Sequence, residues 1–278
     1  LRSAAKNYQD VVVLVDPADY EKTLSELESG AVSLETRKYL MYKVYQHTAV
    51  YDTLISGYLA KQLNIEFPDQ LTLAYEKKEQ MRYGENPHQK AAVYKEAIEI
   101  TNSLISAEQL NGKQLSYNNI NDANGAVELL KEFDETTVVA VKHANPCGVA
   151  SASTVLDAYK AAYEADPVSI FGGIVAVNAC VDKATAEEMV KIFLEIVIAP
   201  DYTDEAVEVL KRKPNLRVLK LKDVAKPNAP GALEFKKVYG GLIVQEADRG
   251  VYDEAKVVTE TAPSKAELET MKFAMKVV

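Results

Sequence analysis

The chain has 278 residues, a length that predicts about two domains. Of these residues 47% are hydrophobic and 26% charged, a composition typical of a globular protein. Its net charge of −9 argues against a nucleic-acid partner, because phosphate backbones are bound by clustered lysine and arginine. A few local cations would still suffice for a small anionic ligand. Two cysteines give no disulfide framework and favour a cytoplasmic setting. No apolar run approaches the roughly 20 residues of a membrane helix, so no membrane partner is expected.

Both ends of the sequence lead us to expect an internal piece of a longer protein. The first residues, LRSAAKN, contain neither Met nor a helix-start signal. At the other end, Ser264 and Glu267 form a capping box for a helix that has no stop signal before Val278.

In the first part of the chain, the apolar run 11–15 predicts a buried strand, and a short helix is expected around residues 24–27. Ser33 is placed to cap a long amphipathic helix that reaches about residue 63. His47 lies on the apolar stripe of that helix, which predicts a partly buried structural histidine. Residues 64–78 have mixed polarity, and we expect a linker or domain boundary there.

Residues 81–94, MRYGENPHQKAAVY, crowd polar groups into a short segment that ends in a predicted strand, 91–94. Pro87 enforces an extended residue before it, and Gly84 allows a tight backbone bend. The segment is either an ordinary polar turn or a ligand site, in which Arg82 would grip a phosphate or carboxylate through two hydrogen bonds.

A second polar segment, residues 111–124, holds five asparagines and one aspartate. Asparagine and aspartate satisfy their own backbone in turns, which predicts a structured loop entering a helix over residues 123–133. The same amides could contact a polar ligand.

The stretch 138–148, VVAVKHANPCG, is the strongest candidate for chemistry. It predicts a short strand buried on both faces that runs into Lys142 and His143, followed by a turn over residues 145–148. Loops at the carboxyl ends of such strands hold the ligands of open α/β sheets. A cation beside an imidazole could there take a proton and stabilise a developing negative charge, in a small-molecule group-transfer or proton-transfer reaction.

The residue pattern of a zinc site is missing from this stretch. A zinc deaminase would carry His-x-Glu and Pro-Cys-x-x-Cys, but His143 is followed by Ala144 and Asn145, and Cys147 by Gly148, Val149 and Ala150. No metal is therefore expected. Cys147 acting as a nucleophile with His143 stays open as an alternative, that of a cysteine-dependent amidohydrolase.

Farther along, a helix is predicted over residues 153–164 and a strand over 168–177, interrupted by Phe171, Gly172 and Gly173. Paired glycines mark a close backbone approach, either by a ligand lying against Gly172 or by another packed element. The spaced glycines of G-x-G-x-x-G are missing, so these glycines do not by themselves indicate a nucleotide site.

Thr185 and Glu188 form a predicted capping box for a helix that ends near Glu195. The Glu195 carboxylate is either solvated, which the pattern alone favours, or holds the donor groups of a ligand. The remaining predicted elements are strands 196–199 and 216–221, helix 203–211 and a hairpin over 234–245. The alternation of strands and helices from residue 90 to 220 indicates an α/β layered domain.

Seven stretches resemble, in order and over nearly the whole chain, the bifunctional AICAR transformylase/IMP cyclohydrolase family. They are LRSAAKN (1–7), DPADY (16–20), SLETRKYL (33–40), RYGENPHQ (82–89), VKHANPCG (141–148), IFGGIVAVN (170–178) and IVIAPDY (196–202). Together these stretches are highly specific, whereas any one alone would not be.

The resemblance implies an α/β fold in two parts. Residues 1–70 would be the C-terminal part of an IMP cyclohydrolase domain with a linker helix, and residues 71–278 the first, incomplete part of a transformylase domain. That domain would be cytidine-deaminase-like, α/β/α and without zinc, in a homodimer that shares its transformylase sites between subunits.

The reaction implied by the resemblance belongs to de novo purine biosynthesis. A formyl group passes from the co-substrate 10-formyltetrahydrofolate to the 5-amino group of AICAR, giving FAICAR, which is then cyclised to IMP. His143 would be the general base and Lys142 would stabilise the tetrahedral intermediate. Lys6 would match a proton donor or acceptor of ring closure. Because other residues of both sites lie outside this sequence, we expect the chain alone to catalyse neither step.

The resemblance also implies substrate-binding residues. Arg82 and Tyr83 would hold the nucleotide, and Phe171 and Gly172 would lie against it. Glu195 matches an acidic nucleotide contact, which reverses the preference for a solvated carboxylate. A module that binds nucleotide or folate without catalysis is the alternative, and the intact Lys142-His143 pair speaks against it.

Overall fold

The computed structural model describes residues 1–248, residue 250 and residues 256–278. They divide into two units, of which the first comprises Leu1–Lys78 with Tyr94–Ile98 and the second Glu79–Val93 with Glu99–Val278. The assignment of residues 1–70 and 71–278 to two catalytic domains stays a prediction. Among the described residues, no helix has both the length and the apolar character needed to span a membrane.

The first unit is mainly helical. It contains α1 (Arg2–Lys6), a 3-10 helix (Pro17–Asp19), α2 (Tyr20–Glu28) and α3 (Leu34–Gln62). As predicted, Ser33 caps α3, and its hydroxyl oxygen accepts a hydrogen bond from the backbone N–H of Thr36 at 3.1 Å. Lys43 on α3 forms ion pairs with Asp16 and Asp19 at 2.6 and 2.5 Å, which tie this helix to the 3-10 helix.

Two predictions for the first unit are wrong. Residues 11–15 form no strand, because no other segment in the described part of the chain pairs with them, and Val13 instead packs against Ala5 and Val44. His47 is exposed rather than partly buried, since the buried residues of α3 end at Val44.

The second unit is built on a six-stranded sheet. Its strands are β3 (Glu108–Asn111), β4 (Thr137–Lys142), β5 (Asn145–Ser151), β6 (Ile174–Val177), β7 (Ile196–Ala199) and β8 (Arg217–Lys220). They lie in the order β3-β8-β7-β6-β4-β5, with β6, β7 and β8 parallel and the other pairs antiparallel. Before them in the chain, β1 (Tyr75–Met81) and β2 (Ala91–Glu96) form a two-stranded sheet, and β2 confirms the strand predicted at 91–94.

Helices cover both faces of the six-stranded sheet. They are α4 (Tyr117–Leu130), α5 (Val155–Ala165), α6 (Lys183–Met189) and α7 (Asp204–Lys211). One core cluster contains residues of α5, α6 and α7, and the other contains residues of α4. Strand β4 contributes Val138 and Ala140 to the first cluster and Val139 and Val141 to the second. The predictions of an α/β fold and of a strand buried on both faces are therefore confirmed.

The final elements lie after the six-stranded sheet. Strands β9 (Leu233–Val238) and β10 (Gly241–Glu246) form the predicted hairpin. Helix α8 (Lys265–Val277) begins with the predicted capping box, in which the Ser264 N–H donates to Glu267 Oε2 at 2.7 Å and the Glu267 N–H donates to Ser264 Oγ at 3.3 Å.

Several helix starts differ from the prediction, and α2 begins at Tyr20 rather than residue 24 and α5 at Val155 rather than residue 153. Helix α4 begins at Tyr117 because Ser116 and Asn119 form a capping box, so most of the asparagine-rich segment is helix rather than loop. The N-cap of α6 is Asp182, whose carboxylate accepts from the Thr185 N–H at 2.8 Å, so the predicted Thr185-Glu188 box is wrong. That helix ends at Met189, well before Glu195.

The predicted turn over residues 145–148 is also wrong, because this segment is strand β5. The chain reverses in the two residues before it, and Lys142 pairs directly with Asn145. Strand β5 lies at the edge of the sheet, where Pro146 is tolerated because a missing N–H costs no interior hydrogen bond. The strand predicted over residues 168–177 is shorter than expected and begins only at Ile174, after the paired glycines.

Strand directions decide which residues share an edge of the sheet. Strand β4 runs antiparallel to β6, with Val141 opposite Ile174, so the carboxyl end of β4 meets the amino end of β6. Since β7 and β8 are parallel to β6, they begin at the same edge. Lys142, residues 171–173, Glu195 and Arg217 therefore come together there.

Gly148 allows β5 to lie directly on α5. A Cβ at this position would lie 2.0 Å from the Ala162 carbonyl oxygen, a backbone atom that cannot rotate away. We expect Gly148→Ala to lower the free energy of unfolding by about 1–3 kcal/mol or more, measured by urea denaturation. In the matched control Gly241→Ala, the new Cβ would meet only Val238 at 3.5 Å, and the change should stay within about 0.5 kcal/mol. Equal stability of the two variants would contradict this packing.

Candidate active site

The loop that joins β4 to β5 consists of two residues in the left-handed region. His143 has φ +53° and Ala144 φ +62°, as a type I′ hairpin turn requires. Neither residue is glycine, so the backbone carries local strain, and such strain clusters at functional sites. The Asn145 side-chain amide donates to the His143 carbonyl oxygen at 2.9 Å and helps to hold the turn. The imidazole of His143 is exposed.

Lys142, the last residue of β4, lies beside the segment that precedes β6. Its ammonium group donates a short hydrogen bond to the Phe171 carbonyl oxygen. A Cβ built on Gly172 would lie 3.2 Å from this ammonium nitrogen and 3.5 Å from the Phe193 ring. Gly172 also has φ +70°, which disfavours any larger residue. The structure thus brings three predicted site residues together: Lys142, Phe171 and Gly172.

The two glycines of this segment have different roles. A Cβ on Gly173 would lie 2.9 Å from the carbonyl oxygens of both Val141 and Ile170, so this glycine permits close backbone packing. Gly172 lies at the surface side of that contact, and its N–H donates to the Phe193 carbonyl oxygen at 2.7 Å. The rings of Phe171 and Phe193 pack at a centroid distance of 5.7 Å, and both side chains stay substantially exposed.

The Glu195 side chain is partly exposed and forms an ion pair with a buried arginine, Arg217. Its Oε2 accepts from Arg217 Nη1 at 2.6 Å, and the side chain of Arg217 is only 7% exposed whereas that of Glu195 is 35% exposed. Backbone hydrogen bonds place the two residues side by side, since the Arg217 N–H donates to the Glu195 carbonyl oxygen at 3.1 Å. No site role was predicted for Arg217 from the sequence, although the charged residues inside the apolar run 216–221 are a usable signal.

Gln114 connects this ion pair to the segment that carries Arg82. Its carbonyl oxygen accepts from Nε and Nη2 of Arg217, both at 3.3 Å. Its side-chain amide donates to Glu79 Oε2 at 3.0 Å and to the Gln80 carbonyl oxygen at 3.1 Å. Gln114 was also missed from the sequence, where it appeared only as part of a polar loop.

Arg82 and Tyr83 follow this anchored segment directly. Arg82 is exposed, and its guanidinium lies over the Tyr83 ring, 5.8 Å from the ring centroid, within reach of a cation–π contact. Lys6 lies in the first unit, exposed at the last residue of α1.

The same family is indicated by comparison with known proteins. The sequence model of the AICARFT/IMPCHase bienzyme family matches residues 4–278.

The chain belongs to this family.

Individual relatives carry the description "Bifunctional purine biosynthesis protein PurH". Those of Ruminiclostridium cellulolyticum and Acetivibrio thermocellus are 57% and 58% identical over 282 residues, covering all of this chain and 55% of each relative. That of Thermoanaerobacter sp. is 56% identical over 281 residues, covering all of this chain and 54% of the relative. The chain therefore spans about half the length of the curated relatives it matches. The predicted family is confirmed, and the roles of individual residues stay predictions.

Two other kinds of site, a metal site and a nucleophilic cysteine, can be compared with the groups near the turn. Within the described part of the chain, no three His, Cys, Asp or Glu side chains are grouped so that they could hold a metal ion. The Cys147 thiol is half-buried, and its Sγ donates to the Ala140 carbonyl oxygen at 3.5 Å. Burial raises the pKa of this thiol, and the negative charge of Asp166 raises it further. A nucleophilic cysteine needs a lowered pKa, so these surroundings disfavour a cysteine-dependent amidohydrolase.

Alkylation kinetics test this conclusion. We expect iodoacetamide to modify Cys147 more slowly than the exposed Cys180, as measured by peptide mass spectrometry. Burial also raises the pKa of the Cys180 thiol, so the difference should come from access to the sulfur. Because a raised pKa shifts thiolate formation to higher pH, labelling of both should accelerate as the pH rises above the usual thiol range. Preferential labelling of Cys147 at neutral pH would indicate an activated nucleophile.

Proposed function

We propose that the chain is part of a bifunctional enzyme of de novo purine biosynthesis. The enzyme transfers a formyl group from 10-formyltetrahydrofolate to the 5-amino group of AICAR and then closes FAICAR to IMP. The observation that carries this proposal is the Lys142-His143 pair, with Lys142 beside Gly172 and His143 on a strained turn, in a chain of the AICARFT/IMPCHase bienzyme family. Because the chain spans about half of its relatives, the activity is proposed for the whole protein.

In the proposed formyl transfer, His143 acts as general base. Its exposed imidazole takes a proton from the 5-amino nitrogen as that nitrogen forms a bond to the formyl carbon. The carbonyl oxygen of the formyl group then carries negative charge, which the neighbouring Lys142 ammonium stabilises. When the bond from the formyl carbon to the folate nitrogen breaks, that nitrogen takes up a proton. In the proposal, the protonated His143 donates it.

The proposal assigns the nucleotide contacts to residues of three segments. Arg82 binds the phosphate with its planar guanidinium, and Tyr83 supports it. Gly172 lets the nucleotide approach the backbone, with Phe171 beside it. The Glu195 carboxylate keeps Oε2 on Arg217, so Oε1 is the oxygen that would accept a hydrogen bond from the ligand.

The proposal also covers ring closure, the oligomeric state and the cellular location of the enzyme. Lys6 would donate or accept a proton during ring closure, with further cyclohydrolase residues supplied by other parts of the protein. We propose a cytoplasmic homodimer whose transformylase sites are shared between subunits, with AICAR and folate as small-molecule substrates and no metal.

Calorimetric titration of the chain with AICAR tests the nucleotide contacts. We expect saturable binding that Arg82→Ala and Lys142→Ala each weaken by about ten-fold, because the first variant removes a charge-assisted hydrogen bond to the phosphate and the second removes a cation beside the anionic nucleotide. Lys160→Ala, which removes an exposed cation on α5, is the matched control and should leave the affinity unchanged. The proposal fails if neither this chain nor the full-length protein binds AICAR, or if both variants bind as the wild type does.

Formyl transfer by the full-length protein tests the proposed base. His143→Ala should lower kcat by about 10²–10⁴-fold while leaving AICAR affinity nearly unchanged, because the imidazole acts on the proton rather than on binding. His47→Ala, at an exposed position on α3, is the control. An unchanged kcat would favour the alternative of a nucleotide- or folate-binding module without catalysis at this turn.

A further inference from the structure

We propose that Arg217 is a positioning residue of the nucleotide site, which orients Glu195 and anchors the segment before Arg82. This inference rests on the proposed function and adds to it a residue that does not itself bind the substrate. Three observations support it: the burial of Arg217, its ion pair with Glu195, and its contacts with Gln114.

Arg217 is buried and yet charged, which is costly unless each donor has a partner. Its side chain is 7% exposed, and Nη1 lies 2.6 Å from Glu195 Oε2. The pair is thus asymmetric, with a buried cation and a carboxylate that reaches the surface. Holding one carboxylate oxygen restricts the rotation of the Glu195 side chain, so its second oxygen is presented in one direction. Loss of the guanidinium would leave Glu195 free to adopt other rotamers.

The other side of the guanidinium contacts Gln114. Nε and Nη2 both donate to the Gln114 carbonyl oxygen at 3.3 Å. The Gln114 side chain in turn donates to Glu79 and to the backbone of Gln80, two residues before Arg82. Arg217 therefore connects the proposed carboxylate contact with the segment that carries the proposed phosphate contact.

The geometry favours arginine over lysine at this position. Three nitrogens of one planar group bind two acceptors in different directions, Glu195 and Gln114. A lysine ammonium is a point donor on a flexible stem and would bind one acceptor at the expense of the other. Arg217→Lys should therefore recover only part of the function that Arg217→Met loses.

A double-mutant cycle in the full-length protein tests the proposal. Arg217→Met should raise KM and Kd for AICAR by between about ten- and a hundred-fold, with a smaller effect on kcat. Glu195→Gln should weaken AICAR binding similarly, and the double variant should be little worse than the weaker-binding single variant, because both changes remove the same oriented carboxylate. Arg212→Met removes an exposed cation from the end of α7 and should match the wild type.

The outcomes separate positioning from a purely structural role. If Arg217 only stabilised the fold, Arg217→Met would lower Tm and the active fraction, and therefore kcat, with KM and Kd unchanged. That result, or additive losses in the double variant, would overturn the inference while leaving the proposed function intact. A wild-type protein that neither binds AICAR nor transfers formyl would instead overturn the proposed function and this inference with it.

Discussion

The reversed direction of β4 is the constraint on which the candidate site depends. Strands β6, β7 and β8 are parallel, and β4 is inserted beside β6 in the opposite direction, with Val138 opposite Val177 and Val141 opposite Ile174. If β4 ran parallel to its neighbour, Lys142 and His143 would lie at the far edge of the sheet from Gly172 and Glu195. One reversed strand thus gathers a cation, an imidazole, a glycine-containing backbone segment and a carboxylate from three separate parts of the chain.

The core beneath this edge stabilises a turn that the local sequence does not favour. Two neighbouring residues other than glycine with positive φ cost roughly 1–2 kcal/mol each. Residues 137–141 of the strand before them are buried, and each valine among them contributes about 1.5–3 kcal/mol of burial relative to exposure. The apolar residues of β4 therefore outweigh the strain and hold His143 at an exposed position. Relaxed turn residues would give a more stable hairpin but would change how the imidazole is presented.

The sequence could predict elements whose causes are local. Apolar runs located β4 and β7, and capping side chains located the starts of α3 and α8. It failed where the cause lies elsewhere in the chain. Residues 11–15 have strand composition but no pairing partner among the described residues, and residues 145–148 have turn composition but pair with β4. Pairing is decided by distant segments, which a local pattern does not contain.

The same distinction applies to the candidate site. Lys142 and Gly172 were recognisable because their sequence context is unusual, whereas the importance of Arg217 arises from a neighbour 22 residues away that the parallel register brings alongside.

The Arg217–Glu195 ion pair also bears on how a chain of net charge −9 could hold an anionic nucleotide. Charges beyond about 8 Å are largely screened at physiological salt, so the local arrangement decides. Glu195 balances the charge of Arg217, so the cations that the proposed site presents to its ligand are Lys142 and Arg82. The Glu195 carboxylate in turn stays in the site as an oriented acceptor, because its negative charge is balanced by Arg217.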